Sequence, residues 1–172
     1  MIYRSLACCA AAWAVAACSA MPAGGPKAAA ELKPTQGNSA AGIVLFRQEG
    51  SDVVMTADVQ GLAPGMHGFH IHEKGDCSAP DGTSAGGHFN PTGKPHGAPT
   101  GGDHHSGDMP MLVADAAGNA KLEARLDGLA IGSGPTDILG KGVIIHAAPD
   151  DFKTQPTGNS GARLACGVIV SR

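Results

Sequence analysis

Residues 41–59 read AGIVLFRQEGSDVVMTADV. Both ends, AGIVLFR (41–47) and DVVMTADV (52–59), are rich in the β-branched residues that pack well on a pleated surface. The QEGS between them is turn-like, so the stretch predicts a β-hairpin. The same grammar recurs outward along the chain. HGFHIHE (67–73) follows GLAPGM, while MLVAD (111–115) and NAKLEARL (119–126) flank AAG and predict a second hairpin. GVIIHA (142–147) and ACGVIV (165–170) complete the set, and the stretch around ELK adds an N-terminal strand. NAKLEARL also reads as a short helix, but its Ala/Leu alternation favours a strand. Seven or eight short strands with turn signals between them predict an all-β sandwich or barrel.

Composition agrees with many turns: the 172 residues include 26 Gly and 12 Pro, too few and too irregular for collagen. Charged residues are only 16%, and 12 basic against 15 acidic groups give a net charge of −3. There is no basic run, which argues against a nucleic-acid partner. The body of the chain has four phenylalanines, Phe46, Phe69, Phe89 and Phe152, as its only large aromatics. Its core must therefore be mostly Val, Ile, Leu and Ala.

Residues 1–17 begin with one basic residue, Arg4, and continue as an Ala-rich apolar run, the pattern of a secretory signal. The run is short for a membrane span. VAAC, ending at Cys18, resembles a bacterial lipobox, in which the cysteine is lipidated and becomes the first mature residue. Ordinary cleavage in the Ala-rich segment through Ala23 is the alternative. Residues 18–29 read as a flexible tether and 30–172 as the folded domain. Cys8 and Cys9 fall in the leader, leaving Cys77 and Cys166 in the body. An exported protein with two body cysteines is expected to pair them, the alternative being two separate buried thiols.

Segments 74–110 and 148–164 carry no strand signal, and loops this long are usually functional or disordered. The histidines gather at the first. On a strand, His70 and His72 share a face with Cα atoms roughly 6.6 Å apart, close enough for two imidazoles to meet one ion. His67, three residues before His70, should face the other way. Downstream, AGGHFNPTGKPHGAPTGGDHHSGD (85–108) holds His88, His96, His104, His105, Asp103 and Asp108. Three histidines and one aspartate suit tetrahedral zinc, and an open, histidine-dominated set suits copper. The bland reading is a polar surface loop. An isolated His146 would ordinarily be a satisfied buried histidine, but this company changes that expectation.

The run GMHGFHIHEKGDCSAPDGTSAGGHFNPTGKPHG, with HHSGD, VIIHA and GNSGARLACGVI, resembles copper/zinc superoxide dismutase of the bacterial, exported type over roughly residues 30–172. The resemblance implies an eight-stranded antiparallel Greek-key β-sandwich, or flattened barrel, with two long functional loops. It implies dismutation of superoxide to dioxygen and hydrogen peroxide by a redox-cycling copper, with a structural zinc sharing a bridging histidine. By the same resemblance His70, His72, His88 and His146 hold copper. His88, His96, His105 and Asp108 hold zinc, and His88 also serves catalysis as the bridge. Arg163 guides the anion. Asp150 links a copper ligand to a zinc ligand, Cys77 and Cys166 form the disulfide, and His67 is structural. A register error of one would exchange Asp150 with Asp151, or His105 with His104. The segment between His146 and Arg163 is shorter than in the animal enzymes, and its charged steering set is not recognisable. The resemblance leaves a homodimer open and, with Cys18, implies a periplasmic location and a lipid anchor to a membrane. The competing reading is an exported copper/zinc buffer protein without turnover. A zinc hydrolase would need an open zinc position, which this ligand set closes.

Overall fold

Strict alternation decides which face each strand buries. In β3 (Asp52–Gln60), Val53, Met55, Ala57 and Val59 point into the core and their neighbours point out, as period-two side chains must. Its hairpin partner β2 (Ala41–Glu49) contributes Val44 and Phe46 to the same interior. These elements belong to a computed structural model that describes residues 24–172. The expected leader (1–17) and Cys18 lie outside the described residues.

Seven further strands complete the fold: β1 (Lys27–Pro34), β4 (Gly65–His67), β5 (Phe69–His72), β6 (Leu112–Ala114), β7 (Ala120–Leu126), β8 (Gly142–His146) and β9 (Arg163–Ser171). The main sheet runs β5-β8-β9-β1-β2-β3-β7, and every ladder in it is antiparallel. The connections from β3 to β5 and from β7 to β8 each cross from one end of this order to the other, which is Greek-key connectivity. A short β4–β6 ladder lies between the two ends, because β4 leads into β5 and β6 leads into β7. The curled sheet encloses a core of small and branched residues, with Phe46 and Phe69 the largest fully buried side chains and Phe89 at its margin. The all-β Greek-key expectation is therefore met.

Three details differ from the sequence reading. The run HGFHIHE is not one strand, because Gly68 interrupts it. Gly68 N–H donates to Ala148 O and Gly68 O accepts from His146 N–H, which diverts the backbone from the β4–β6 ladder to β8. Among the described residues nine strands result where eight were expected. Second, 111–126 turns tightly at Asp115–Asn119 but does not form the expected hairpin. β6 pairs with β4 and β7 with β3, so the turn is a corner between two sheets. Third, strand β1 begins at Lys27, inside the stretch expected to be tether (18–29), because Ala28 and Ala30 are buried against β2 and β9.

Phe46 is 2% exposed. Phe46→Ala should destabilise the fold by about 3–5 kcal/mol through the cavity it leaves. Chemical denaturation of the metal-free protein checks this, and a change below about 1 kcal/mol would place Phe46 outside the core.

Candidate metal centre

β5 presents two faces. Phe69 and Ile71 enter the core, which leaves His70 and His72 on the opposite side of the strand. Its edge away from β8 is not left open. The first long loop folds back onto it, with Ile71 N–H donating to Gly107 O and Phe89 N–H donating to Ile71 O, both at 2.8 Å. This brings His88 opposite His72 and Asp108 opposite His70 as isolated bridges. The approach requires Gly107, since a Cβ there would lie 2.2 Å from Ile71 O. His146 arrives at the end of β8, after a bulge at Ile145/His146, and its ladder partner is Arg163 at the start of β9.

Among the described residues two groups of ligand-type atoms result: His70, His72, His88 and His146, and then His88, His96, His105 and Asp108. In each group the atoms lie within 4.8 Å of one another, and His88 belongs to both. All seven residues are buried. The structure thus brings together every sequence-predicted ligand and leaves out His67, His104 and Asp103. His67 contacts the backbone instead, its ring nitrogens 2.8 Å from His146 O and 2.9 Å from Ala63 O. His104 is half-buried and its Nδ1 faces the carbonyl of His105.

Hydrogen bonds fix the tautomers in the first group. His70 Nε2–H donates to Asp150 Oδ2 at 2.7 Å, His72 Nδ1–H to Gly86 O at 2.9 Å, and His146 Nδ1–H to Gly161 O at 3.2 Å. Each ring therefore turns a bare lone pair inward. The atoms so exposed, His70 Nδ1, His72 Nε2 and His146 Nε2, together with His88 Nε2, are, among the described residues, the buried side-chain polar atoms without a partner. A polar atom buried without a partner is costly, and four of them converging form a ready metal site. Neutral imidazole lone pairs suit copper.

The second group fits a cation for a different reason. Asp150 Oδ1 accepts from His96 Nε2–H at 3.0 Å, so a neutral His96 presents a lone pair at Nδ1 to Asp108 Oδ1, also 3.0 Å away. Asp108 Oδ1 also lies 2.8 Å from His88 Nδ1 and 3.6 Å from His105 Nδ1, and the two Nδ1 atoms are 3.3 Å apart. Ligands 2.0–2.1 Å from a tetrahedral ion sit about 3.3 Å from one another, so these spacings suit zinc. Asp108 Oδ2 is anchored by the N–H groups of Gly97 and His105.

Burial is the largest influence on four of these histidines, His70, His72, His105 and His146. It pushes His70 well below the usual histidine range, with neighbouring His88 and His146 adding to it. Burial, then His88 and Arg163, lowers His72 to about 2. Burial lowers His146 to about 4, although its bond to Gly161 opposes the shift. For Asp108 burial acts upward, but the bonds from His88 and the Gly97 N–H outweigh it and hold the carboxyl at about 2. At neutral pH His70, His72 and His146 are thus neutral and Asp108 is ionised, the forms that bind a metal ion.

Arg163 stands at the rim. Its guanidinium donates to Gly82 O and Gly86 O, both at 2.7 Å, and Gly86 O is also the acceptor of His72. Burial lowers its pKa from the usual arginine value while Asp81 opposes this, and it remains cationic. Cys77 and Cys166 form a disulfide with Cα atoms 5.8 Å apart, tying this first-loop segment to β9. Asp151 caps its own turn through Lys153, Thr154 and the Thr154 hydroxyl, and Asp150 is the residue that reaches both rings. Sequence reasoning missed the carbonyls of Gly86 and Gly161 and the side chain of Gln155. Backbone acceptors have no residue-type signature, and a lone glutamine gives no motif.

A family model described as copper/zinc superoxide dismutase (SODC) matches residues 40–169. Superoxide dismutase [Cu-Zn] 2 of Aquifex aeolicus (strain VF5) is 40% identical over 148 residues, 83% of this chain and 86% of the relative. The extracellular superoxide dismutase [Cu-Zn] of Caenorhabditis elegans is 44% identical over 135 residues, 74% of this chain and 60% of that protein. Among solved structures, the clock protein EA4 superposes with a TM-score of 0.76 at 38% identity, covering 84% of this chain and 93% of its own. The chain belongs to the copper/zinc superoxide dismutase family. Its reaction is the dismutation of superoxide, with copper and zinc as its metals.

The pKa shifts give the metal-free protein a pH dependence. Unfolded histidines titrate near 6.5, whereas His146 and His72 titrate at about 4 and about 2 when folded. Their contribution is present in full above about pH 6.5. It falls progressively as pH drops toward 4 and below, because the unfolded state binds protons that the folded state refuses. The denaturation midpoint of metal-free protein should be clearly lower at pH 5 than at pH 7.5, and equal midpoints would contradict this.

Proposed function

We propose that His70, His72, His88 and His146 hold copper, and that His88, His96, His105 and Asp108 hold zinc, with His88 shared. The observation that carries this reading is the convergence of four partnerless nitrogens on one side of His88, with the Asp108 set on the other. Copper, when bound, supplies the one-electron valence change that dismutation requires and that zinc cannot supply. The remaining steps belong to the protein's own residues. Asp150 holds the His70 and His96 rings in fixed tautomers, as carboxylates beside ligating histidines do. His88 faces one group with Nε2 and the other with Nδ1, so Nε2 is the atom placed to hold a proton and hand it to the reduced substrate. Arg163 supplies the fixed positive charge that draws superoxide inward and orients it, against a negative net charge. The carbonyls of Gly82 and Gly86 hold the guanidinium there, and the Cys77–Cys166 bridge ties down the segment that precedes them.

Export is supported by the disulfide and by the likeness to an extracellular enzyme. We extend this to a periplasmic protein anchored through lipidated Cys18, as the lipobox-like VAAC suggests.

The test is a dismutation assay on protein reconstituted with copper and zinc, beside zinc alone. Turnover should appear only with copper, and its absence would leave a metal buffer. Arg163→Ala should lower the rate at least about tenfold at low ionic strength, since a steering charge is worth 10–10³ in association, with copper content unchanged. Loss of copper instead would make Arg163 structural.

A further inference from the structure

The second long loop, 148–164, lacks the recognisable steering charges of the animal enzymes, yet it is tightly engaged. Three of its residues, Asp150, Gln155 and Gly158, meet at one histidine, His96. That histidine lies in a stretch of the first loop with no strand or helix, so no ladder fixes its backbone. Gln155 does so instead. Its Oε1 accepts from His96 N–H at 2.9 Å, and its Nε2 donates to His96 O at 2.9 Å, across 59 residues of sequence. The opposite amide orientation would set like against like, so the pairing fixes which atom is which. Among the described residues, no other hydrogen bond reaches the His96 backbone.

The same loop fixes the ring. Asp150 Oδ1 takes the Nε2 proton of His96 and is itself braced by Phe152 N–H at 2.7 Å. Gly158 lies flush against this bond. A Cβ at Gly158 would stand 1.8 Å from Asp150 Oδ1 and 2.6 Å from His96 Nε2. The loop therefore closes on His96 at three points: its backbone N–H, its backbone carbonyl and its ring.

We propose that Gln155 is a positioning residue for zinc. It sets the backbone of His96 so that Nδ1 points at the ion, and the second loop serves as a clamp on the zinc site. This rests on the assignment of His96 to zinc made above. The side chain of Gln155 is exposed; two of its bonds reach His96 and the third the exposed Lys153 O of its own loop, none the core, so its loss should be felt in metal affinity and not in folding.

The experiment measures zinc affinity by competition with a chromophoric chelator, on copper-loaded full-length protein, for the native sequence, Gln155→Ala, Gln155→Met and His105→Ala. Gln155→Met keeps the reach of the side chain and removes both hydrogen bonds to His96, together with a longer one from Nε2 to Lys153 O at 3.3 Å. Both Gln155 variants should bind zinc at least about tenfold more weakly, the usual effect of losing a group that orients a ligand. Copper per molecule and the melting temperature of the metal-free protein should stay at native values. Native zinc affinity in Gln155→Ala, or in Gln155→Met alone, overturns the clamp. So does a lowered melting temperature with unchanged affinity. His105→Ala separates the two layers: if it too binds zinc as the native protein does, the zinc assignment itself has failed.

Discussion

Four imidazole lone pairs, buried and facing one another without a hydrogen-bond partner, are the constraint on which the rest of this structure depends. Each such acceptor costs about 1–3 kcal/mol, and together they would be a poor use of a β-barrel wall. They persist because the opposite nitrogen of each ring is committed elsewhere. Asp150 takes the proton of His70, the Gly86 carbonyl that of His72, and the Gly161 carbonyl that of His146. No ring can rotate to relieve itself without breaking a bond already made. The fold thus holds the orientation of these rings before any ion arrives.

The barrel supplies the rigidity. Its apolar interior fixes β5 and β8 through Phe69, Ile71, Val143 and Ile145, and the same strands carry the partnerless nitrogens of His70, His72 and His146. The free edge of β5 then recruits the first loop by backbone hydrogen bonds, delivering His88 and Asp108 to their bridging positions. Stability and chemistry occupy opposite faces of the same strands.

Much of this was legible in the sequence, for a physical reason. Period-two alternation in 41–47 and 52–59 exposes the sheet directly, and the spacing of His70 and His72 follows from the rise of a strand. The separation of His67 from them was reached by the right rule on the wrong backbone path, because Gly68 breaks the run and places His67 in a different ladder. The hairpin expected at 111–126 failed because a tight turn does not say which sheet each arm will join. The expectation of a tether over 18–29 ran too far because alanines give a weak strand signal, and only burial against β2 and β9 makes them one. Gln155 and the carbonyls of Gly86 and Gly161 stayed hidden because they act across long sequence separations through groups common to all proteins.

One imidazole, His88, belongs to both ligand groups. Electron paramagnetic resonance of the protein loaded with Cu(II) in the first group and Co(II) in the second tests it most directly. An imidazole bonded to both ions transmits magnetic exchange, so the Cu(II) signal should collapse when cobalt enters and return in full when zinc replaces it. A Cu(II) signal of undiminished intensity, with both metals shown to be bound, would contradict the shared ligand.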